Sequence, residues 1–137
     1  MSSLNAIDPT PEQIQAFLKQ PDDAPVFMLN LLKFKDKATY NDGEDVSGKV
    51  AYGRYAKAFG QLLKDLNVEG AETIYGGAAN VVLIGQADWD AVAVVRYPNA
   101  KVMFETVSCD AYRKIHYHRK AGLAGQLLIS CNDEGVF

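Results

Sequence analysis

The order of hydrophobic patterns along the 137 residues predicts an α+β fold. Three observations carry that expectation. A run at 26–35 is apolar on both faces, a long amphipathic helix pattern covers 49–67, and shorter apolar runs at 72–85, 90–97 and 125–131 are interrupted by a second helical stretch at 101–121. A chain of this length falls near the soft prior of about 150 residues per domain. One domain over 1–137 is therefore expected, with a leading helix at 10–20 and a core at 26–131.

The leading helix is marked by Thr10-Pro11-Glu12-Gln13. Thr10 is a capping residue, proline suits a first helical position, and Gln13 stands three residues after the cap, which makes a capping box. Ile14, Phe17 and Leu18 form its apolar stripe, and Pro21 ends it. In the run from Val26 to Lys35, the residues Val26, Met28, Leu32 and Phe34 share one face with Asn30, while Phe27, Leu29 and Leu31 share the other with Lys33. A strand apolar on both faces belongs in the middle of a covered sheet. Residues 36–48 are polar, with a turn at Asn41-Asp42-Gly43. The helix that follows repeats Tyr52, Tyr55, Ala56, Phe59, Leu62, Leu63 and Leu66 at helical spacing.

Residues 72–85 read as one long bent strand, or as two short ones with a bulge at Gly76-Gly77. Asp88-Trp89 reads as a tight turn, and 90–97 as a second buried strand closed by Pro98. The stretch 101–121 is a helix or a helix pair with a break near Ser108, its stripe running through Phe104, Val107, Ala111, Ile115 and His118. Gly122 ends it, and 125–131 is the last strand, with Cys131 expected in the core. The order β-α-β-β-α-β is the ferredoxin-like, split βαβ arrangement, with both helices on one face of an antiparallel sheet. The other face then needs a cover of its own, and a second copy of the same sheet is the simplest one, giving a homodimer with two sheets face to face.

Fourteen Lys and Arg against seventeen Asp and Glu give a net charge of −3. That lacks the basic footprint of nucleic-acid binding. No apolar run approaches the ~20 residues of a membrane-spanning helix. Met1 to Pro9 carries neither a basic patch nor an apolar stretch, so no secretory signal is expected and the reading is a cytoplasmic protein. Cys109 and Cys131 are far apart and read as reduced thiols. His116 and His118 are an i,i+2 pair that diverges on a helix. Neither set has metal-ligand spacing, so no metal and no cofactor are expected.

Several motifs resemble an uncharacterised group, domain-of-unknown-function family thirteen-thirty of the dimeric α/β-barrel superfamily. They are Met28-Leu29-Asn30-Leu31-Leu32-Lys33-Phe34, Asp42-Gly43, Ser47-Gly48, Trp89-Asp90, Val95-Arg96-Tyr97-Pro98, Tyr112, and the run His118-Arg119-Lys120-Ala121-Gly122-Leu123. The resemblance implies a ferredoxin-like dimer forming a dimeric α/β barrel. It supplies no activity. The wider superfamily includes cofactor-independent monooxygenases, isomerases, haem enzymes and non-catalytic ligand-binding modules, and fold analogy alone does not choose among them.

The residues themselves offer candidates. Asn30 is polar inside an apolar strand, so its amide either orients a ligand or bonds a neighbouring loop or water. Arg96 closes its strand and either binds a carboxylate or pairs with an acidic residue at the sheet end. His118 is the group of near-neutral pKa on an apolar stripe, a base or a packed core histidine, and Arg119 beside it is a second anion-binding candidate. Tyr52 and Tyr55 point a hydroxyl into a pocket or simply pack, and Trp89 is a further candidate for a pocket wall. Together these suggest a small organic ligand between sheet and helices. A cofactor-free oxygenase or isomerase and a non-catalytic binding or protein-interaction module remain the alternatives.

Overall fold

Two backbone segments that cross with no room for a side chain organise the helical side of this protein. The structure, a computed structural model, describes residues 6–135, so the expectation about the leading segment falls partly on 1–5, outside the described residues. The elements in chain order are α1 (Pro11–Leu18), β1 (Val26–Phe34), α2 (Gly48–Asp65), β2 (Glu72–Ala78), β3 (Ala91–Tyr97), α3 (Ala100–Thr106), α4 (Asp110–Gly122) and β4 (Leu123–Cys131). After α1 this is the expected β-α-β-β-α-β order, with α3 and α4 as the second helical unit.

Three of the four described helices start where side-chain chemistry caps them; at α4 the Cys109 side chain makes no such bond. Thr10 accepts from the Gln13 amide while the Gln13 side chain accepts from the Thr10 amide, completing the capping box. The Ser47 hydroxyl accepts from the Val50 amide at 3.1 Å, and the Asn99 side chain accepts from the Val102 amide at 2.7 Å.

The sheet has the order β2-β3-β1-β4, with every neighbouring pair antiparallel. The doubly apolar strand β1 is central, as its pattern requires. Its even residues face the helices: Val26, Met28 and Leu32 are buried there, and Val26 and Met28 join Tyr97 and Ala100 in a core that Phe17, Phe59 and Met103 complete. A second cluster of Tyr55, Leu62 and Tyr112 holds α2 against α4. The odd residues Phe27, Leu29 and Leu31 lie on the other face, in register with Arg96, Val94 and Val92 of β3 and with Cys131, Ile129 and Leu127 of β4. No described helix covers that face.

The crossing itself joins the end of β1, the start of α2 and the end of α4. The Lys35 amide donates to the Gly122 carbonyl at 2.8 Å, and the Gly48 amide donates to the Lys35 carbonyl at 2.9 Å. A Cβ on Gly122 would stand 2.5 Å from the Gly48 oxygen and 2.8 Å from the Tyr52 nitrogen. A Cβ on Gly48 would stand 2.6 Å from both the Gly122 oxygen and the Lys35 nitrogen. The last carbonyls of α4 have no partner within their own helix. Here the Lys35 ammonium donates to that of Lys120, the Thr39 amide to that of Ala121, and the Lys35 amide to that of Gly122.

The structure corrects several local expectations. The strand expected over 72–85 stops at Ala78, and its register shift falls between Thr73 and Tyr75 rather than at the glycine pair. Val81, Val82, Leu83 and Ile84 pair with nothing in the sheet, because the chain turns away after the Ala79 amide bonds the Asp90 carbonyl. The bend lies at Ile84 and Gly85, where φ is +89°, and not at Asp88-Trp89. β4 begins at Leu123, two residues early, since the strand takes over directly from the helix. Cys131 is exposed rather than packed, because its parity puts it on the uncovered face. Neither cysteine is in a disulfide. No helix among the described residues is long and apolar enough to cross a membrane.

The crossing makes a sharp contrast between glycines. Gly122→Ala is expected to lose more than about 2 kcal/mol in denaturant unfolding, since the clash is with backbone atoms and cannot be relieved by a rotamer. Gly53, inside α2, has nothing within 4 Å of a Cβ. Gly53→Ala is expected to gain about 0.5–1 kcal/mol from helix propensity and the lower entropy of the unfolded chain.

Candidate functional site

A cavity of about 510 Å³ lies on the helix-facing side at the β4 edge. One wall is the leading segment: Ile7 and Pro9 of the strap before α1, then Ile14 and Phe17 of α1. The opposite wall is Met28, Leu128 and Ser130 of the sheet, with Met103, Phe104 and Val107 from α3 and the turn after it. The strap is paired onto β4 through reciprocal backbone bonds between Ala6 and Gln126, at 2.9 and 2.8 Å. At the far end of α1 the Gln20 amide donates to the Ser130 hydroxyl at 3.0 Å. The helix between these two anchors buries none of its own residues, so it is a cover and not a core element.

Arg119 is the one cation in the cavity wall, and its side chain is only 13% exposed. Its guanidinium donates to the Gln126 side-chain oxygen at 2.7 Å, to the Ile7 carbonyl, and to Nε2 of His116 at 3.3 Å. Gln126 in turn donates to the Asn30 side-chain oxygen at 2.7 Å, and Asn30 donates to the carbonyls of Met28 and Ala93 at 3.1 and 3.3 Å. A chain of directed bonds thus runs from the central strand to the guanidinium. Among the described residues three of the five donors of Arg119 have acceptors within hydrogen-bonding distance, and its nearest carboxylate, Asp8, lies 3.9 Å away, itself shared with Lys120. A guanidinium held this way presents positive charge to an apolar space, which suits a carboxylate or another oxyanion.

An arginine only donates, so the Nε2 atom of His116 must be the acceptor, and the ring is neutral with its proton on Nδ1. Burial and the neighbouring charges of Arg119 and Lys120 hold the His116 imidazolium below its ordinary range, against a smaller opposing pull from Asp8.

The sequence-derived candidates separate in space. Asn30 and Arg119 come together, through Gln126. His118 does not join them. Its Nδ1 lies 2.6 Å from the Tyr40 hydroxyl and its ring packs on Tyr117 at 4.1 Å, under the 36–47 loop. The stripe expected through 104, 107, 111, 115 and 118 holds at Val107, Ala111 and Ile115, which pack on the cluster of Tyr55, Leu62 and Tyr112, and fails at His118, which meets Tyr40 instead. From Asp110 onward the inward line is Tyr112, His116 and Arg119, each one turn from the next. The His118 pKa is lowered too, first by burial and then by the Arg54 charge. Arg54 itself is paired with Glu44 at 2.6 Å.

Arg96 stands on the uncovered face, donating to the Gly70 carbonyl at 2.8 Å with its guanidinium 5.9 Å from the Phe27 ring centre, and meets no acidic partner among the described residues. Tyr55 bonds Tyr112 through their hydroxyls at 2.9 Å, inside the contact between α2 and α4. Tyr52 packs on Phe34 and Tyr55, and burial pushes its hydroxyl up to about 12 while the charge of Arg119 pulls the other way. Trp89 is half-buried on the segment between β2 and β3 and does not line the cavity.

The sequence reading missed Gln126, His116 and the strap. Gln126 carries the same signal that singled out Asn30, an amide inside an apolar strand. His116 is visible once the helical count is taken from Asp110. Among the described residues no group of three or more His, Cys, Asp or Glu side chains could hold a metal ion.

No family model matches the chain, and no curated protein matches it. Solved structures do. A protein of unknown function from Rhodopseudomonas palustris is 29% identical, with a TM-score of 0.82 over 94% of this chain and 97% of that one. The methylated form of that protein gives 28% identity and a TM-score of 0.85 over 98% of both chains. A dimeric protein of unknown function with a ferredoxin-like fold from Bacteroides fragilis is 10% identical, with a TM-score of 0.52 over 79% of this chain and 95% of that one. The chain is an α+β protein of ferredoxin-like fold.

The two histidines provide a check on this geometry. Both imidazoles are expected to titrate below 6.5 when followed by NMR. Arg119→Gln should move His116 up toward the ordinary value and leave His118 where it is. Because the folded state disfavours the charged rings, stability falls as pH drops through 6.5 toward the lowered values, and it is fully retained above 6.5.

Proposed function

We propose that the protein is a homodimer that binds a small, largely apolar molecule bearing an anionic oxygen, one per subunit, in the cavity beneath α1. The observation that carries this is the largely buried guanidinium of Arg119 at the wall of a mainly apolar space of about 510 Å³, whose other polar lining is Asp8, Gln13, Gln20, Gln126 and Ser130. In this reading Arg119 neutralises a carboxylate or enolate oxygen. Gln126 and Asn30 are positioning residues that fix the guanidinium plane. His116, neutral and bonded to the same guanidinium, is the proton acceptor in place of His118: its one lone pair, on Nε2, is released when the ligand's oxyanion takes over the Arg119 N–H. Stabilising an enolate next to a neutral base is the shared first requirement of cofactor-free oxygenases and isomerases.

A non-catalytic binding module is the second reading. It is favoured by one feature: the guanidinium, both amides and the strap already satisfy one another without a ligand. Dimerisation through the uncovered sheet face rests on the apolar row Phe27, Leu29, Leu31, Val92, Val94 and Ile129, and on the dimeric description of the relative from Bacteroides fragilis. Membership of family thirteen-thirty is supported by the physical duty of its motif residues, Gly48 and Gly122 at the crossing and Arg119 at the cavity.

Ligand-observed NMR with a panel of small aromatic and aliphatic carboxylates and their amides tests the reading. Carboxylates should bind and the matching amides should not, with affinity falling at least tenfold in Arg119→Gln, as expected for a lost charge-assisted bond. Equal binding of acid and amide would remove Arg119 from the role. Turnover of a bound acid that disappears in His116→Gln would select the enzyme; binding without turnover would select the module.

A further inference from the structure

The segment between β2 and β3 carries four consecutive aliphatic residues in water. Val81 is 77% exposed, Val82 49%, Leu83 88% and Ile84 90%. They belong to none of the three core clusters, the third being that of Ala38, Ala51 and Ala121, and among the described residues none of their backbone groups bonds the rest of the chain. A run of β-branched and aliphatic residues in this state is a strand lacking its partner. Scattered exposed apolar residues are ordinary on a surface, but a contiguous run of four on one protruding segment is not.

We infer that residues 80–85 form an arm that reaches across to a second copy of this chain and packs on the partner, so that the dimer is clasped by two exchanged arms. The inference rests on the proposed dimer through the sheet face and names what completes it. Three features point to a second copy as the occupant. The arm follows β2 after only Ala79, and the partner strand β3 supplies Val92 and Val94 to the uncovered face, so the exposed run leaves the very sheet whose apolar face lacks a cover. That surface holds charge only at its margins, where Lys33 pairs with Asp88 and Asp90 at 3.1 and 3.4 Å and Arg96 is bonded to Gly70. Its centre can therefore be buried without stranding an ion. The arms also add area. A lasting interface needs about 800 Å² on each partner, and the four exposed aliphatic side chains of each arm add to what the sheet face supplies.

The geometry makes the exchange cheap. Lys33 holds Asp88 at the root of the arm, and Asp90 accepts from the Phe34 amide at 2.8 Å. The root is thus fixed to β1 while the tip, bending at Gly85, projects from its own subunit. An arm already extended before association loses little conformational freedom on docking.

The test compares three full-length chains by sedimentation and by amide hydrogen exchange. Wild type should be a dimer whose amides at 81–84 are protected and become fast-exchanging on dilution to monomer. Leu83→Asp/Ile84→Asp, altered only at exposed positions, should keep its secondary structure and weaken the dimer at least tenfold, as for interface anchors. Ile129→Lys, on the sheet face, should weaken it as well. If Ile129→Lys dissociates the dimer while the arm variant does not, and amides 81–84 exchange freely in the dimer, the arm inference is wrong and the sheet dimer stands. If wild type is a monomer, the sheet dimer falls and the arm with it.

Discussion

The backbone crossing of Lys35, Gly48 and Gly122 is the constraint on which the rest of the helical side depends. Three chain segments meet there at hydrogen-bonding distance, with Lys35 accepting from one glycine's amide and donating to the other's carbonyl. Because neither helix carries a side chain at the contact, α2 starts and α4 ends against the same peptide. That fixes where α4 stops, and α4 passes straight into β4. Arg119, one turn before the crossing, is thereby held over Gln126, seven residues on in the strand. The same contact closes the open carbonyls at the end of α4, which would otherwise be costly to bury.

From this point the candidate site follows by electrostatics. An arginine with so little exposure loses most of its hydration and has to recover it in directed bonds. It does so with one amide side chain, a histidine and a backbone carbonyl, none of them charged. The carboxylate of Asp8 stands 3.9 Å away, is shared with Lys120 and has 58% of its side chain exposed, so it offsets the charge only in part. The result is a cation solvated mainly by dipoles and only weakly paired, next to mainly apolar walls. This differs from Arg54, whose contact with Glu44 uses its charge within the chain and whose basicity is raised mainly by that bond.

The two sheet faces are treated differently for a reason visible in their covers. The helix-facing side is sealed by α2, α3 and α4, and its residual gap is roofed by α1 and the strap. The other face has only side chains, aliphatic at the centre and charged at the edge. The arm after β2 projects beside it. An antiparallel sheet tolerates one wet face when that face is polar. Here it is not, so the fold of a single copy leaves part of the hydrophobic pattern of β1 unused.

Much of this was legible in the residues. Period-two and period-3.6 patterning located every strand and helix, because burial of one face imposes those spacings on any sequence that folds this way. Capping boxes and glycines marked the ends, since they answer to local backbone chemistry. Asn30 and Arg119 stood out because a polar group in an apolar context has to be bonded. What the sequence could not decide was which polar groups meet. Arg119 joins Gln126, Ile7 and Asn30 across separations of up to 112 residues, and only the packing of strap, helix and strand sets that. The misplacement of His118 has the same origin: it shares α4 with Ala111 and Ile115, which do pack inward, and only the course of the 36–47 loop, which brings Tyr40 to its Nδ1, decides that this end of the stripe lies away from the cavity. The apolar run at 81–84 shows the limit from the other side. Its residues favour burial, and tertiary structure alone reveals that none of the described residues of its own chain provides it.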